Sequence, residues 1–260
     1  MADYPGQVVF RGMDEFGDLV VADTVLTRSL YFGKTAVQSS LFHDFPEDLA
    51  LHYSRAMMSV LMFCRRPEQL LLIGLGGGSI VRFLLRACPD CRISVVEIRQ
   101  GVIRIAQQFF GLAVDHPNLN IICGDGRQYI LDRQGGADGR YDLLLVDVYD
   151  EASRMDAVAD LKFMAAARSC LSKDGIVAFN LWTGSSGNFP LCRDRLNRVF
   201  AGACRSLILD ADRGNAILLG FNNPAMLEDV ARFRPVAQAL CAEFFINFQA
   251  FLEVIMPQGE

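Results

Sequence analysis

Histidine and tryptophan are scarce in this chain, at three and one among 260 residues, and charged side chains are held to 21%. His43, His52 and His116 are scattered without metal-ligand spacing, so surface or helix-end roles are expected for them and no metal is expected. No apolar stretch approaches the ~20 residues that cross a bilayer, and no basic start with a short apolar run follows Met1. A soluble, cytoplasmic protein without a membrane partner is therefore expected. A basic excess is missing too: Lys and Arg number 25 against 30 Asp and Glu, a net charge of −5. That balance argues against nucleic acid as a partner and suits a small cationic substrate. Cysteine is present, at eight residues, but no disulfide framework is evident. Most thiols fall inside apolar runs, where they pack as small hydrophobes, and Cys88-Pro-Asp-Cys91 has no second pair or nearby His to complete a zinc set.

What the chain does have is apolar substance, 52% of its residues, enough for one large core with a small appended unit. Its organising stretch is LLIGLGGGSIVRFLLRACPDCRISVVEI, Leu71 to Ile98. A buried strand leads into Gly74, Gly76, Gly77 and Gly78, a helical segment follows, and a second strand ends at Glu97. Glycines permit a tight turn and close backbone approach, and the helix start offers free N–H groups to polar ligand atoms. A carboxylate placed like Glu97 can bind a ribose diol. The glycine spacing is G-x-G-x-G followed by Ser79, which departs from the G-x-G-x-x-G of dinucleotide sites and is typical of S-adenosylmethionine-type sites.

Before this unit, Val8–Arg11, Leu19–Ala22, Ser29–Phe32 and Ala36–Ser39 are short β-type runs separated by turn residues, predicting a small antiparallel sheet. Such hairpins are marginal alone and need a larger body to pack on. Pro46-Glu47-Asp48 suits a helix start, and Pro67 closes that helix. After Glu97, strands and helices alternate. Leu119–Ile122 is a strand running into Cys123-Gly-Asp-Gly126, and Tyr141–Val146 is a strongly apolar strand that delivers Asp147, Tyr149 and Asp150. A helix is predicted over 157–171 and another strand over Ile176–Leu181. One long closing helix, from about Met226 to Val254, is expected to break or kink at Pro235. The predicted class is α/β, a doubly wound, mainly parallel sheet with a small N-terminal antiparallel β-domain, divided at 1–45 and 46–260. Ligands of such sheets bind at the C-terminal ends of the strands. Glu97, Asp125, Asp147, Asp150 and Asn180 all sit at such ends and are expected to converge. Asp125 with Gly126 can accept from an adenine amino group, although an Asp-Gly turn also satisfies itself. Trp182 and Tyr149 read equally as pocket walls and as core.

RSLYFG followed by Gln38, then Tyr53, LLIGLGGGS, VVEI, GDGR and YDLLLVDVYD together resemble the spermidine synthase family of aminopropyltransferases, which shares the class I methyltransferase fold. The resemblance runs from Val8 to about Phe221. It implies an adenosyl sulfonium donor as co-substrate, either decarboxylated S-adenosylmethionine or S-adenosylmethionine. It implies a small amine or other small acceptor, and a homodimer or larger homo-oligomer. By resemblance, Glu97 holds the ribose, Asp125 contacts adenine, Gln38 lies by the donor, Tyr53 by the substrate, and Asp147 and Asp150 flank the reacting centre. The chain departs from the family pattern at three places. Gly77 stands where the family has an aspartate for the donor's aminopropyl nitrogen. Tyr53-Ser54-Arg55 replaces Tyr-His-Glu, and Asp147-Val-Tyr-Asp150-Glu151 replaces D-S-S-D-P. These departures predict retained nucleoside recognition with altered amine recognition. A methyltransferase using S-adenosylmethionine, and a non-catalytic nucleoside-binding protein, are the alternatives.

Overall fold

The computed structural model describes residues 4–33, 36–134, 140–148, 160–183, 189–209 and 214–256. Two sheets organise it. The first has four strands in sequential order, β1 (Gln7–Asp14), β2 (Gly17–Asp23), β3 (Thr27–Tyr31) and β4 (Val37–Phe42), every neighbouring pair antiparallel. The second has seven strands: β5 (Gln69–Ile73), β6 (Arg92–Glu97), β7 (Leu119–Cys123), β8 (Tyr141–Val146), β9 (Leu171–Trp182), β10 (Cys204–Ile208) and β11 (Asn215–Phe221). Their spatial order is β10-β11-β9-β8-β5-β6-β7, parallel from β9 to β7, with β10 and β11 antiparallel at the other edge. The sequence order reverses between β5 and β8. This is the switch point at which α/β sheets open a crevice.

Strand β5 shows why the sheet is buried on both faces. Leu70 and Leu72 enter one core cluster while Leu71 and Ile73 enter the other, because successive side chains point to opposite faces. On the first face lie α1 (His52–Met57), α2 (Ser79–Ala87), α3 (Gln100–Gln108), α7 (Arg234–Phe244) and α8 (Phe248–Ile255). On the second lie α4 (Gly126–Asp132), α5 (Leu161–Ser169) and α6 (Phe189–Val199). The fold class agrees with the sequence expectation.

Three local expectations are corrected. The helix predicted to start at Pro46 begins at His52, because Asp48 N–H closes a turn onto the Phe45 carbonyl and Leu49 makes an isolated bridge to Leu41. The helix drawn over 157–171 spans Leu161–Ser169 among the described residues, with Asp160 as its N-cap accepting from Lys162 N–H, and Leu171 already belongs to β9. The long closing helix is two 3-10 turns and two helices, and its break is not at Pro235. Proline sits in the first turn of α7, where its missing N–H costs nothing, and the chain turns instead at Phe245, which is left-handed at φ 55°. Asn247 then caps α8 through the Ala250 N–H.

The antiparallel sheet is fastened to the larger body by buried polar contacts. Arg99 donates to both Asp14 carboxylate oxygens, at 3.0 and 2.6 Å, and to the Gly17 carbonyl at 2.9 Å, and its guanidinium lies 4.5 Å from the Phe32 ring centroid. Both members of this pair are buried. Burying two charges is costly, and the fork geometry with the added carbonyl and ring is what offsets it. A second fastening joins β4 to the glycine turn: Ser79 Oγ donates to the Ser40 carbonyl at 2.9 Å and lies 3.2 Å from Ser39 Oγ. The Cys88 and Cys91 thiols are free and buried, and burial pushes them up to about 11 and about 12, so they remain protonated packing groups near neutral pH.

Candidate active site

A cleft of about 650 Å³ opens at the switch point, and Gln38, Tyr53, Gly74, Gly76, Glu97, Asp125, Gly126 and Asp147 all line it. Residues far apart in sequence meet there because each ends or follows a strand, or faces those ends from β4 and α1. Gly77 and Gly78 are not among the walls. A Cβ on Gly77 would stand 2.7 Å from the Phe110 ring and 3.0 Å from Ser39 Oγ, and one on Gly78 2.9 Å from Leu112. Gly77 lets the turn pack against Phe110 and the β4 residue Ser39, and Gly78 lets it pack against Leu112. Tyr149 and Asp150 lie outside the described residues.

The glycine turn is dictated by what it touches. Gly74 has φ +93°, and a Cβ there would be 2.1 Å from the Asp147 carbonyl oxygen, so no other residue fits. Gly126 is constrained by a side chain instead, since its Cβ would lie 2.3 Å from Ile73 Cγ2 and that isoleucine would have to shift. The strand ends are zipped beside it: Asp147 N–H donates to the Ile73 carbonyl at 2.9 Å and Gly74 N–H to the Val96 carbonyl at 2.9 Å.

Glu97 is 7% exposed. One carboxylate oxygen accepts from Leu75 N–H at 2.9 Å and the other from Arg99 N–H at 2.8 Å. Burial raises its pKa, outweighing the lowering by those backbone donors. The carboxylate keeps acceptor capacity beyond these donors, which is what a ribose hydroxyl requires. Asp125 is the N-cap of α4. Its Oδ1 accepts from Arg127 N–H at 2.7 Å and Gln128 N–H at 3.3 Å, so the carboxylate is both cap and cleft wall.

Asp147 is held differently. Asn180 Nδ2 donates to Oδ1 at 2.8 Å, and the Tyr53 hydroxyl lies 3.2 Å from Oδ2 and 3.1 Å from the Gln38 carbonyl. Burial pushes the Asp147 carboxyl up to about 6; the Asn180 and Tyr53 hydrogen bonds pull it down, and the Glu97 charge adds a smaller upward push. The same burial and the negative neighbour push the Tyr53 hydroxyl well above its ordinary value. A carboxylate poised near 6 can hold an amine cation and take its proton close to neutral pH.

Sequence reasoning missed His52, Arg99, Arg127 and Asn215 as cleft walls. Arg99 and Arg127 each follow a recognised acid by two residues, a signal that was present. Trp182, read as wall or core, lines the cleft. Arg55, whose charge would oppose a polyamine, is not a wall; its Nε donates to the Leu49 carbonyl at 2.6 Å.

The spermine/spermidine synthase domain matches residues 50–181, the span from the helix bearing Tyr53 through the strand bearing Asn180. A polyamine aminopropyltransferase of Neisseria meningitidis serogroup A is 33% identical over 254 residues, covering 97% of this chain and 94% of that protein. The chain belongs to the spermine/spermidine synthase family. Membership makes it a transferase by descent. Solved structures agree on the fold: a spermidine synthase in complex with the transition state analogue AdoDATO superposes with TM-score 0.68 at 18% identity, covering 88% of this chain and 80% of that one. Human methyltransferase-like protein 13 in complex with SAH superposes with TM-score 0.61 at 23% identity, covering 81% and 96%. The family thus shares its main sheet with methyltransferases. Among the described residues no helix is long and apolar enough to cross a membrane, and no group of three His, Cys, Asp or Glu side chains stands together as a metal set.

Proposed function

We propose that this chain transfers the aminopropyl group of decarboxylated S-adenosylmethionine to a small amine. The observation that carries the reading is Asp147: a carboxyl poised near neutrality, against the glycine turn, in a cleft that also holds Glu97 and Asp125. In this reading Glu97 accepts from the ribose diol and Asp125 from the adenine amino group, with Gly74, Gly76 and Gly126 allowing close approach. Gly77 and Gly78 serve the turn from behind.

The chemistry follows from charge. An amine arrives as an ammonium, and Asp147 attracts it and accepts one proton. The freed nitrogen lone pair attacks the aminopropyl carbon bonded to the sulfonium; the new C–N bond forms as that C–S bond breaks. Its electron pair returns to sulfur, leaving neutral methylthioadenosine. Holding nitrogen, carbon and sulfur in line supplies much of the rate. Tyr53 steadies the carboxylate from one side and Asn180 from the other. Asp150 is assigned to the reacting centre beside Asp147 on the family resemblance alone, Tyr149 is assigned to the acceptor as a pocket wall, and the resemblance supports a homodimer or larger homo-oligomer.

The test is mass spectrometry of purified protein with decarboxylated S-adenosylmethionine and a panel of diamines. An aminopropylated amine together with methylthioadenosine is expected. Methylated product from S-adenosylmethionine, with none from the decarboxylated donor, would move the chain to the methyltransferase reading. Binding of either donor without turnover would leave a nucleoside-binding protein.

A further inference from the structure

Asn215 is placed by topology at the ligand edge of the sheet. Because β11 runs antiparallel, its first residue arrives where the parallel strands have their C-terminal ends. Asn215 pairs with Trp182, and the next pair on that face is Ile217 with Asn180. Asn215 and Asn180 are therefore diagonal neighbours on one face, within reach of each other. Asn215 Nδ2 donates to Asn180 Oδ1 at 2.9 Å, and Asn180 Nδ2 donates in turn to Asp147 Oδ1 at 2.8 Å. The backbone under Asn215 is pinned: Thr183 N–H and Oγ1 donate to the Gly214 carbonyl at 2.9 and 2.8 Å, and Leu209 N–H donates to the Asn215 carbonyl at 3.0 Å.

We infer that Asn215 is a positioning residue, which fixes the direction of the Asn180 amide and thereby holds the Asp147 carboxylate ionised and aimed at the incoming amine. An ionised carboxylate only accepts, so Asn180 must turn its NH2 toward Asp147, and its carbonyl is then left needing a donor. Asn215 is that donor. If the Asn180 amide turned over, a carbonyl oxygen would face the Asp147 oxygen, an arrangement that is favourable only when Asp147 carries a proton. A proton held there cannot be taken from the amine. Asn215 thus acts on the base without touching the substrate's reacting atoms.

Other groups bear on the same carboxyl. Tyr53 approaches from α1, Glu97 lies at the end of β6, and His52, Arg99, Asp125 and Arg127 stand on the cleft walls. Asn215→Asp changes the relay from its far end: the new carboxylate can only accept, so it draws the Asn180 NH2 toward itself and turns the Asn180 carbonyl to Asp147. It is isosteric with the native side chain. Asn215→Leu removes the guide without reversing it.

The inference rests on the transferase reading for its purpose, but its test does not require turnover. In full-length protein labelled with 13C at aspartate carboxyls, the Asp147 resonance, assigned by its loss in Asp147→Asn, is titrated without donor. Asn215→Asp should raise its midpoint from about 6, by about one pH unit or more, the scale of a reversed hydrogen bond plus a like charge. Asn215→Leu should raise it less. In an Asn180→Leu background Asn215→Asp should add a distinctly smaller shift, that of the like charge alone, because the connecting amide is gone. In turnover, the acidic limb of the pH profile should move with the titration and activity should recover at higher pH, whereas a merely structural role lowers it at every pH. An unchanged midpoint in both Asn215 variants, or an equal shift with and without Asn180, overturns the inference. Absence of turnover in the wild type would remove the transferase reading alone, since the titration still reports the relay.

Discussion

Glu97 and Asp147 are carboxylates of one cleft, yet the molecule holds them by different means. Glu97 is gripped by backbone N–H groups of Leu75 and Arg99, one in the glycine turn and one two residues on. Asp147 is gripped by side chains, Tyr53 on α1 and Asn180 on β9, which come from distant parts of the chain. A backbone grip is part of the fold and makes a fixed acceptor suited to binding. A side-chain grip, set apart from the backbone of the strand end, leaves a carboxyl able to gain and lose a proton, which suits a group that must change its charge.

The largest effect should come from breaking the reactive side. Asp147→Asn should cut kcat by about 10²–10⁴-fold, the usual contribution of a positioned base, while leaving the donor dissociation constant unchanged by calorimetry. Next in size, Glu97→Gln should weaken donor binding by about 10–100-fold, since a hydrogen bond to a charged group is worth about 1.5–3 kcal/mol. Its kcat should hold once donor saturates. If both substitutions alter kcat and affinity in the same proportion, the division of labour between the two acids fails.

A smaller effect sharpens the contrast through pH. The native pKa of Asp147, about 6, lies above the ordinary 3.8. The folded state therefore binds the extra proton between those values, and the group's stabilising contribution is present at low pH and lost as pH rises through about 6. Ionised Asp147 at pH 7 then costs about 2 kcal/mol, allowing for its remaining contact with water. Asp147→Asn should accordingly melt higher than wild type at pH 7, with the gain shrinking toward pH 4. Calorimetric melts at several pH values check this, and a variant that is less stable at pH 7 would show the side-chain grip to be structural. Smallest is Gly77→Ala, where one methyl meets Phe110 at 2.7 Å. It should cost about 1 kcal/mol of stability, at the low end of overpacking penalties, with donor affinity intact, because the position faces away from the cleft.

The same contrast explains what could be seen before folding. Gly74, Glu97, Asp125 and Asp147 were legible because a parallel sheet brings the ends of its strands to one edge, and sequence shows where strands end. Four short β-runs likewise marked the antiparallel sheet. Asn215 was not legible: it begins a strand, and only the antiparallel direction of β11 carries that beginning to the cleft. The partners of Asp147 were hidden for a related reason, since Tyr53 entered through family resemblance and Asn180 was seen as a strand end rather than as a hydrogen-bond donor. The packing of Gly77 against Phe110 and Ser39 was hidden because spacing counts residues along a turn without saying which way a missing side chain would point. The late helix start at His52 and the break at Phe245 depended on the bridge at Leu49 and on a left-handed backbone, neither of which hydrophobic period records.

Gly74 meets the Asp147 carbonyl so closely that not even a methyl group fits between them. Two adjacent strands therefore act as a ruler: the span from the glycine turn to the acid is written in main chain, not in side chains. His52, Trp182 and Leu209 also line the cleft, and substitution there leaves that main-chain span as it is. For engineering, variation belongs on those walls, and the Gly74–Asp147 seam is the part to leave alone.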